Sequence, residues 1–174
     1  AGKLHLSHSN SFMKTAITLL FILIISRPIH AQDSLFTVYN PEADALKQLN
    51  EAVSKANTEG KHVLVQVGGN WCKWCRMFYK WSHENNTIDS LLNANYVVIH
   101  ANYSKENKNP ELLKRLDYPQ RFGFPVFLIV DGKGNRLHTQ NTGYLEDGEG
   151  YSEKKVAEFL KQWNVSAVTG SNYD

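Results

Sequence analysis

The stretch HVLVQVGGNWCKWCRMFYKW, residues 62–81, joins an apolar run to two glycines, a pair of cysteines and a run with helical spacing. A short, strongly apolar run ending in glycines predicts a central strand buried on both faces. Gly68 and Gly69 let the chain turn sharply from that strand into a helix. Cys72 and Cys75 are the two cysteines of the chain, so thiol chemistry belongs here. At the first turn of a helix the leading thiol lies beside unpaired backbone N–H groups, where the positive end of the dipole favours a thiolate. Cys72 is therefore the expected nucleophile, and Lys73 supplies a cation next to it; together these lower a thiol from its free value of about 8.5. Cys75, one turn deeper on the same side, is placed to attack a mixed disulfide formed at Cys72, which makes it the resolving thiol. Met77, Phe78 and Trp81 continue the helix as its core face.

A second landmark is FGFPVF, residues 122–127, which leads into another apolar run. Strand, WCxxC, helix and a Gly-Phe-Pro before a later strand resemble the thioredoxin-like family, over residues 61 to about 164. The closer likeness is to its secreted or periplasmic bacterial thiol-disulfide oxidoreductases. The resemblance implies an α/β fold with a central mixed sheet and helices on both faces. It also implies a cis-proline loop facing the CxxC and gripping substrate backbone, a position that Pro125 matches, with Phe124 bordering the groove. Trp71, Lys73 and Trp74 complete the expected substrate-binding set. Trp71 shields the cysteine pair, whereas Trp74 either adds to the contact surface or packs under a neighbouring loop. Two departures are visible: Lys73-Trp74 stands where cytosolic thioredoxins have Gly-Pro, and Gln66 stands where they bury an aspartate. The resemblance therefore supplies no proton acceptor for Cys75.

At 174 residues, 42% hydrophobic and 11% aromatic, the chain suits one globular domain. The net charge of +2 includes Lys3, Lys14 and Arg27 from a first 31 residues that hold no acid. Removing those three from the 19 basic residues leaves 16 against 17 acids, or −1, and nothing points to nucleic acid. Met13-Lys14 precedes ten apolar-rich residues, 16–25, and Ile29-His30-Ala31 offers a cleavage site before Gln32. Residues 13–31 are therefore expected to be a cleavable signal peptide, directing the protein to the periplasm or outside the cell. A bilayer span needs about 20 apolar residues, roughly twice this run. Residues 1–12 lie upstream of the expected start and outside the fold, leaving residues 32–174 as one domain with its core at about 41–164. A disulfide-stapled scaffold would spread many cysteines along the chain, so two cysteines three apart read as catalytic or metal-binding.

In chain order, residues 33–39 predict a strand or an extended arm. Asn40-Pro41-Glu42 predicts a helix start, with Ala43, Leu46, Leu49, Val53 and Ala56 at helical spacing and Gly60 as terminator. A helical turn or two is expected at 87–92, capped from Asn86, then a strand at 96–100 and a surface loop at 102–109. Asn109-Pro110-Glu111 opens a short helix to Leu116. Pro119 is expected to be trans. Residues 126–130 and 136–142 form an antiparallel pair around the turn DGKGN, 143–150 a solvated loop, and 152–163 a last helix with Val156, Phe159, Leu160 and Trp163 buried. The tail from Val165 is expected to fray.

Three chemistries compete for the cysteine pair. Thiol-disulfide exchange needs no metal and no cofactor beyond the redox-active Cys72–Cys75 disulfide. Its partners would be exported proteins bearing thiols or disulfides, with a membrane electron donor if the protein works as a reductant, and the protein itself is expected to be a monomer. A metal-binding or metallochaperone module is the alternative: one CxxC gives two of the four ligands of a closed zinc site, and His83, His100 or His138 would have to add the rest, although copper(I) could use fewer. An inert structural disulfide is the third reading, and a loop this short removes little unfolded-chain entropy. Electron flow stays open in direction. Lys73 and the neutral Gln66 lean toward a more oxidising couple, whereas a dedicated donor would favour reduction or rearrangement of disulfides in exported proteins.

Overall fold

Strand β1 (His62–Gly68) is buried along its whole length, with Val63, Val65 and Val67 facing one core and Leu64 the other. This computed structural model describes residues 2–3 and 37–171. The chain divides into two units, Ala1–Leu35 and Phe36–Asp174, and every regular element described belongs to the second. The expected signal segment, 13–31, and residues 33–36 of the expected arm lie outside the described residues; 37–39 form no strand. Among the described residues no helix is long and apolar enough to cross a membrane.

On one side β1 pairs in parallel with β2 (Tyr96–Asn102), from His62 opposite Tyr96 to Gly68 opposite Asn102. On the other it pairs antiparallel with β3 (Val126–Val130), which pairs antiparallel with β4 (Arg136–Asn141), giving the order β2-β1-β3-β4. A parallel pair requires a crossover. It is supplied by α2 (Lys73–Glu84) and α3 (Asn86–Asn95), whose Phe78, Ile88 and Leu92 pack with Leu64, Phe127 and Ile129. The last helix, α5 (Glu153–Gln162), capped by Ser152, adds Val156, Phe159 and Leu160 to that face. The opposite face is covered by α1 (Ala45–Glu59) and α4 (Pro110–Arg115) through Leu49, Ala52, Ala56, Leu112 and Leu113. The described residues of the second unit thus form an α/β sandwich built on a mixed sheet.

Several boundaries differ from the sequence expectation, each for a visible reason. Asn40 does not cap α1: its Oδ1 accepts from Glu42 N–H at 2.9 Å, closing a turn, and Asp44 caps instead by accepting from Lys47 N–H at 3.0 Å. The cap of α3 is Asn85, one residue earlier than expected, with Oδ1 accepting from Ile88 N–H. Residues 143–150 are not a plain solvated loop. A 3-10 turn (Thr142–Leu145) runs into a small hairpin of β5 (Glu146–Asp147) and β6 (Gly150–Tyr151), because Leu145 and Tyr151 bury against Phe78 and its neighbours. The tail holds one more short helix, α6 (Val165–Thr169), capped by Asn164.

The polar stretch after β2 is likewise more than a surface loop. Asn102 Nδ2 donates to Asn107 O at 2.9 Å, and Asn107 Nδ2 donates to Pro41 O at 3.0 Å. Buried Asn109 donates to Asn102 O at 2.8 Å and accepts from Ala45 N–H at 3.0 Å, so it satisfies the first turn of α1 across 64 residues of chain. Asn109 has φ of 49°, a conformation that asparagine tolerates better than most residues. Asn109→Ala is expected to lower the unfolding free energy by about 3 kcal/mol, because it strands buried backbone groups and strains the left-handed residue. Denaturant titration checks this, and a change below about 0.5 kcal/mol, the range of ordinary surface substitutions, would contradict it.

Beneath α2, on the β2 side, lies a cavity of about 290 Å³ whose lining includes Gln66, Tyr79, His83, Asp89, Leu92 and His100. Burial, reinforced by the nearby His83, pushes His100 down from 6.5 to about 4. The folded state holds this ring neutral while the unfolded chain protonates it, so the unfolded state binds more protons and stability falls as pH falls. The loss begins near 6.5 and levels near 4, amounting to about 3 kcal/mol. Urea unfolding between pH 7 and 4.5 is expected to show this slope, and His100→Phe is expected to flatten it. A slope unchanged by His100→Phe would contradict the assignment.

Candidate active site

Cys72 is the N-cap of α2, with φ −85° and ψ 110°, and its Sγ accepts from Cys75 N–H at 3.1 Å. The first turn of α2 contains no acid, so the helix dipole and the exposed Lys73 act on this sulfur without an opposing carboxylate there. Cys72 and Cys75 are joined by a disulfide, with Cα atoms 5.3 Å apart. Their access differs: Cys72 keeps 5% of its surface and Cys75 none. An incoming thiol or disulfide therefore meets Cys72.

The turn into α2 depends on the two glycines. A Cβ on Gly68 would stand 2.5 Å from Cys75 Sγ and 2.8 Å from the Tyr39 hydroxyl, while one on Gly69 would stand 2.6 Å from Tyr103 O. Removing side chains there lets the cysteine turn pack directly on the end of β1. Trp71 uses the space over Gly69. Its indole N–H donates to Tyr103 O at 2.7 Å, its ring meets Phe124 edge-on at 5.3 Å, and it still keeps 58% of its surface. Phe124 stacks on Tyr103 at 4.7 Å and packs against the cysteine cluster. The Phe124–Pro125 peptide is cis, and Pro125 O accepts from the Thr142 hydroxyl at 2.6 Å. Trp71, Phe124 and the CxxC turn thus form one rim.

Trp74 resolves to the packed alternative. It is half-buried, meets Tyr151 edge-on at 5.6 Å, and its carbonyl accepts from the Tyr151 hydroxyl at 3.3 Å, so the β5–β6 hairpin covers it. Gln66 shares the parity of Leu64 and faces α2. Its Nε2 donates to the Tyr39 hydroxyl at 2.6 Å and to Cys75 O at 3.1 Å, so a neutral amide fills the space beneath the buried cysteine.

Two residues of the site carry no signal in the sequence. Asn70 Oδ1 accepts from Val38 and Tyr39 N–H, both at 3.0 Å, and its Nδ2 donates to Tyr39 O at 2.8 Å, strapping residues 38–39 to the turn before the cysteines. Tyr39 is thereby fully buried against Cys72 and Cys75. Burial raises its phenol far above the usual tyrosine range, and it stays protonated. The histidines weighed as metal ligands are elsewhere: His83 stacks on Tyr79, His138 stacks on Trp163 and His100 lines the cavity. Among the described residues no three of His, Cys, Asp and Glu stand together as a possible metal site.

The chain is similar to known proteins in sequence and in fold. The sequence model of the family described as thioredoxin-like matches residues 44–132, just over half the chain. The thiol:disulfide interchange protein DsbD of Yersinia pestis is 28% identical over 166 residues, 88% of this chain and 25% of that protein. The DsbD of Escherichia coli K12 is 32% identical over 108 residues, 60% of this chain and 18% of that protein. The chain thus spans a quarter or less of the length of these relatives. A disulphide isomerase structure from Xylella fastidiosa Temecula1 superposes with a TM-score of 0.63 at 26% identity, covering 71% of this chain and 94% of that one. A thioredoxin from Thermus thermophilus, at TM-score 0.52 and 20% identity over 70% of this chain and 88% of its own, agrees in fold. With its CxxC pair joined as a disulfide at the head of a helix on a mixed sheet, the chain belongs to the thioredoxin-like family.

Proposed function

We propose that this protein exchanges thiols and disulfides with exported proteins, working in the direction of reduction or rearrangement. The observation that carries the reading is the unequal access of two bonded sulfurs: Cys72 at the rim beside Trp71 and Phe124, Cys75 wholly buried behind it. In the dithiol state the Cys72 thiolate attacks a substrate disulfide and forms a mixed disulfide; Cys75 then attacks Cys72 and releases the reduced substrate. Trp71, Phe124 and Pro125 border the groove for the substrate backbone, with Lys73 at its edge. Export is supported by the signal-like residues 13–31, and exchange by the name that the DsbD relatives carry. Return to the dithiol state requires an electron donor, for which a membrane protein presenting a dithiol is the natural class.

With insulin as substrate and dithiothreitol as reductant, Cys72→Ser is expected to fall to the background rate. Cys75→Ser is expected to keep the first attack and to accumulate a mixed disulfide, read as a mass adduct on the intact protein. Full turnover by Cys75→Ser would contradict the assignment of roles.

A further inference from the structure

The resolving sulfur is the harder of the two to activate. Cys75 has no exposed surface, and burial among apolar groups disfavours the thiolate that must attack Cys72. Gln66, beneath it, has no proton-accepting role to offer: its amide nitrogen donates to Cys75 O and to the Tyr39 hydroxyl. That second bond has a consequence for Tyr39. A phenol oxygen accepts through its lone pairs and donates its own proton, so the bond from Gln66 occupies an acceptor position and leaves the O–H to point elsewhere. The Tyr39 oxygen and Cys75 Sγ occupy the same small space, 2.8 and 2.5 Å from where a Cβ on Gly68 would stand.

We propose that the Tyr39 hydroxyl, aligned by Gln66, donates a hydrogen bond to the Cys75 sulfur when reduction frees it, stabilising the thiolate that resolves the mixed disulfide. This rests on the exchange reading above. In that step a bond forms between the Cys75 and Cys72 sulfurs and the bond from Cys72 to the substrate sulfur breaks. The electron pair leaves on the substrate sulfur, which takes up the proton that Cys75 gives up, so thiol and mixed disulfide become disulfide and substrate thiol. Tyr39 keeps its proton throughout and acts as a donor, in place of a buried acid.

The other titratable or charged groups around this sulfur do not duplicate that role. From β2, His100 meets Tyr39 edge-on at 5.8 Å and is neutral above about 4. From β6, Tyr151 is held protonated by burial. From α2 come the exposed Lys73 and the half-buried Arg76, with Tyr79 and His83 on the cavity, and from α3 comes Asp89 across that cavity. Tyr39 packs with both cysteines and shares the space beside Gly68 with Cys75 Sγ.

Mixing the reduced protein with Ellman's reagent in a stopped-flow instrument separates the two steps, since each cysteine releases one equivalent of thionitrobenzoate: Cys72 on attack, Cys75 on resolution. Tyr39→Phe is expected to leave the first phase unchanged and to slow the second about tenfold, the effect of losing a hydrogen bond to a charged group. The pH midpoint of the second phase is expected to move up by about one unit, which a merely structural loss would not produce. Gln66→Leu, which keeps the phenol and removes its aligning amide, is expected to slow the second phase selectively by a smaller factor, and it serves as the test if Tyr39→Phe does not fold. A second phase unchanged in rate and midpoint in a folded variant, or both phases slowed alike, would overturn the proposal. A wild-type protein lacking the second phase would overturn the exchange reading itself, and this one with it.

Discussion

The active turn depends on the contact between a buried sulfur and a strand that has no side chain to offer it. Gly68 ends β1 while still paired with Asn102 of β2, and Cys75 Sγ lies 2.5 Å from where a Cβ on that glycine would stand. Close packing leaves no slack for a methyl group at such a point. From this contact follow the seat of α2 against the sheet, the burial of Cys75, and the position of Cys72 one turn higher at the rim. Gly69 repeats the device on the other side of the turn, where the Trp71 indole reaches across to Tyr103 O. The two glycines divide the work: one makes room for Cys75 Sγ and the other for the Trp71 indole.

The electrostatics of the site come from what surrounds each sulfur. Cys72 has the helix N-terminus and an exposed lysine neighbour, both of which favour a thiolate. Cys75 has neutral groups directly beneath it, a glutamine amide and a phenol held protonated by burial. A carboxylate in that position would oppose formation of a second negative charge nearby, whereas hydrogen-bond donors oppose nothing and pre-organise the sulfur. The same neutrality extends to His100, whose ring borders Tyr39 within the cavity under α2. The chain therefore treats its two thiols by different physics, a dipole and a surface cation for one and buried neutral donors for the other.

What the sequence made legible was local. The run 62–67, the two glycines and the cysteine pair announce β1, the turn and α2 because each signal is complete within a few residues. The same holds for Gly123-Phe124-Pro125 before β3 and for the apolar stripe of α5. Features that escaped are those whose partners lie far along the chain. Asn40-Pro41 carries a cap signal, yet Asn40 closes a turn and Asp44 takes the cap, because Asn109 meets the first free N–H of α1. Asn102 and Asn109 read as solvated although both are buried, Asn102 Nδ2 donating to Asn107 O and Asn109 Nδ2 to Asn102 O. Acids at 146, 147 and 149 masked a hairpin that buries Leu145 and Tyr151 and covers Trp74. Tyr39 is the extreme case: nothing near it in sequence marks it, and Asn70, 31 residues on, together with Gln66, ties it to the cysteine turn.

The central claim is that Cys72 and Cys75 form a reversible exchange couple, proposed to work in the direction of reduction or rearrangement. Its most direct test is equilibration of the protein with glutathione buffers of graded potential, the state of both cysteines being read by thiol alkylation. The account predicts a single two-electron transition with a midpoint closer to about −270 mV than to about −120 mV. The absence of a reversible transition would contradict the exchange couple, and a midpoint near about −120 mV would contradict its direction.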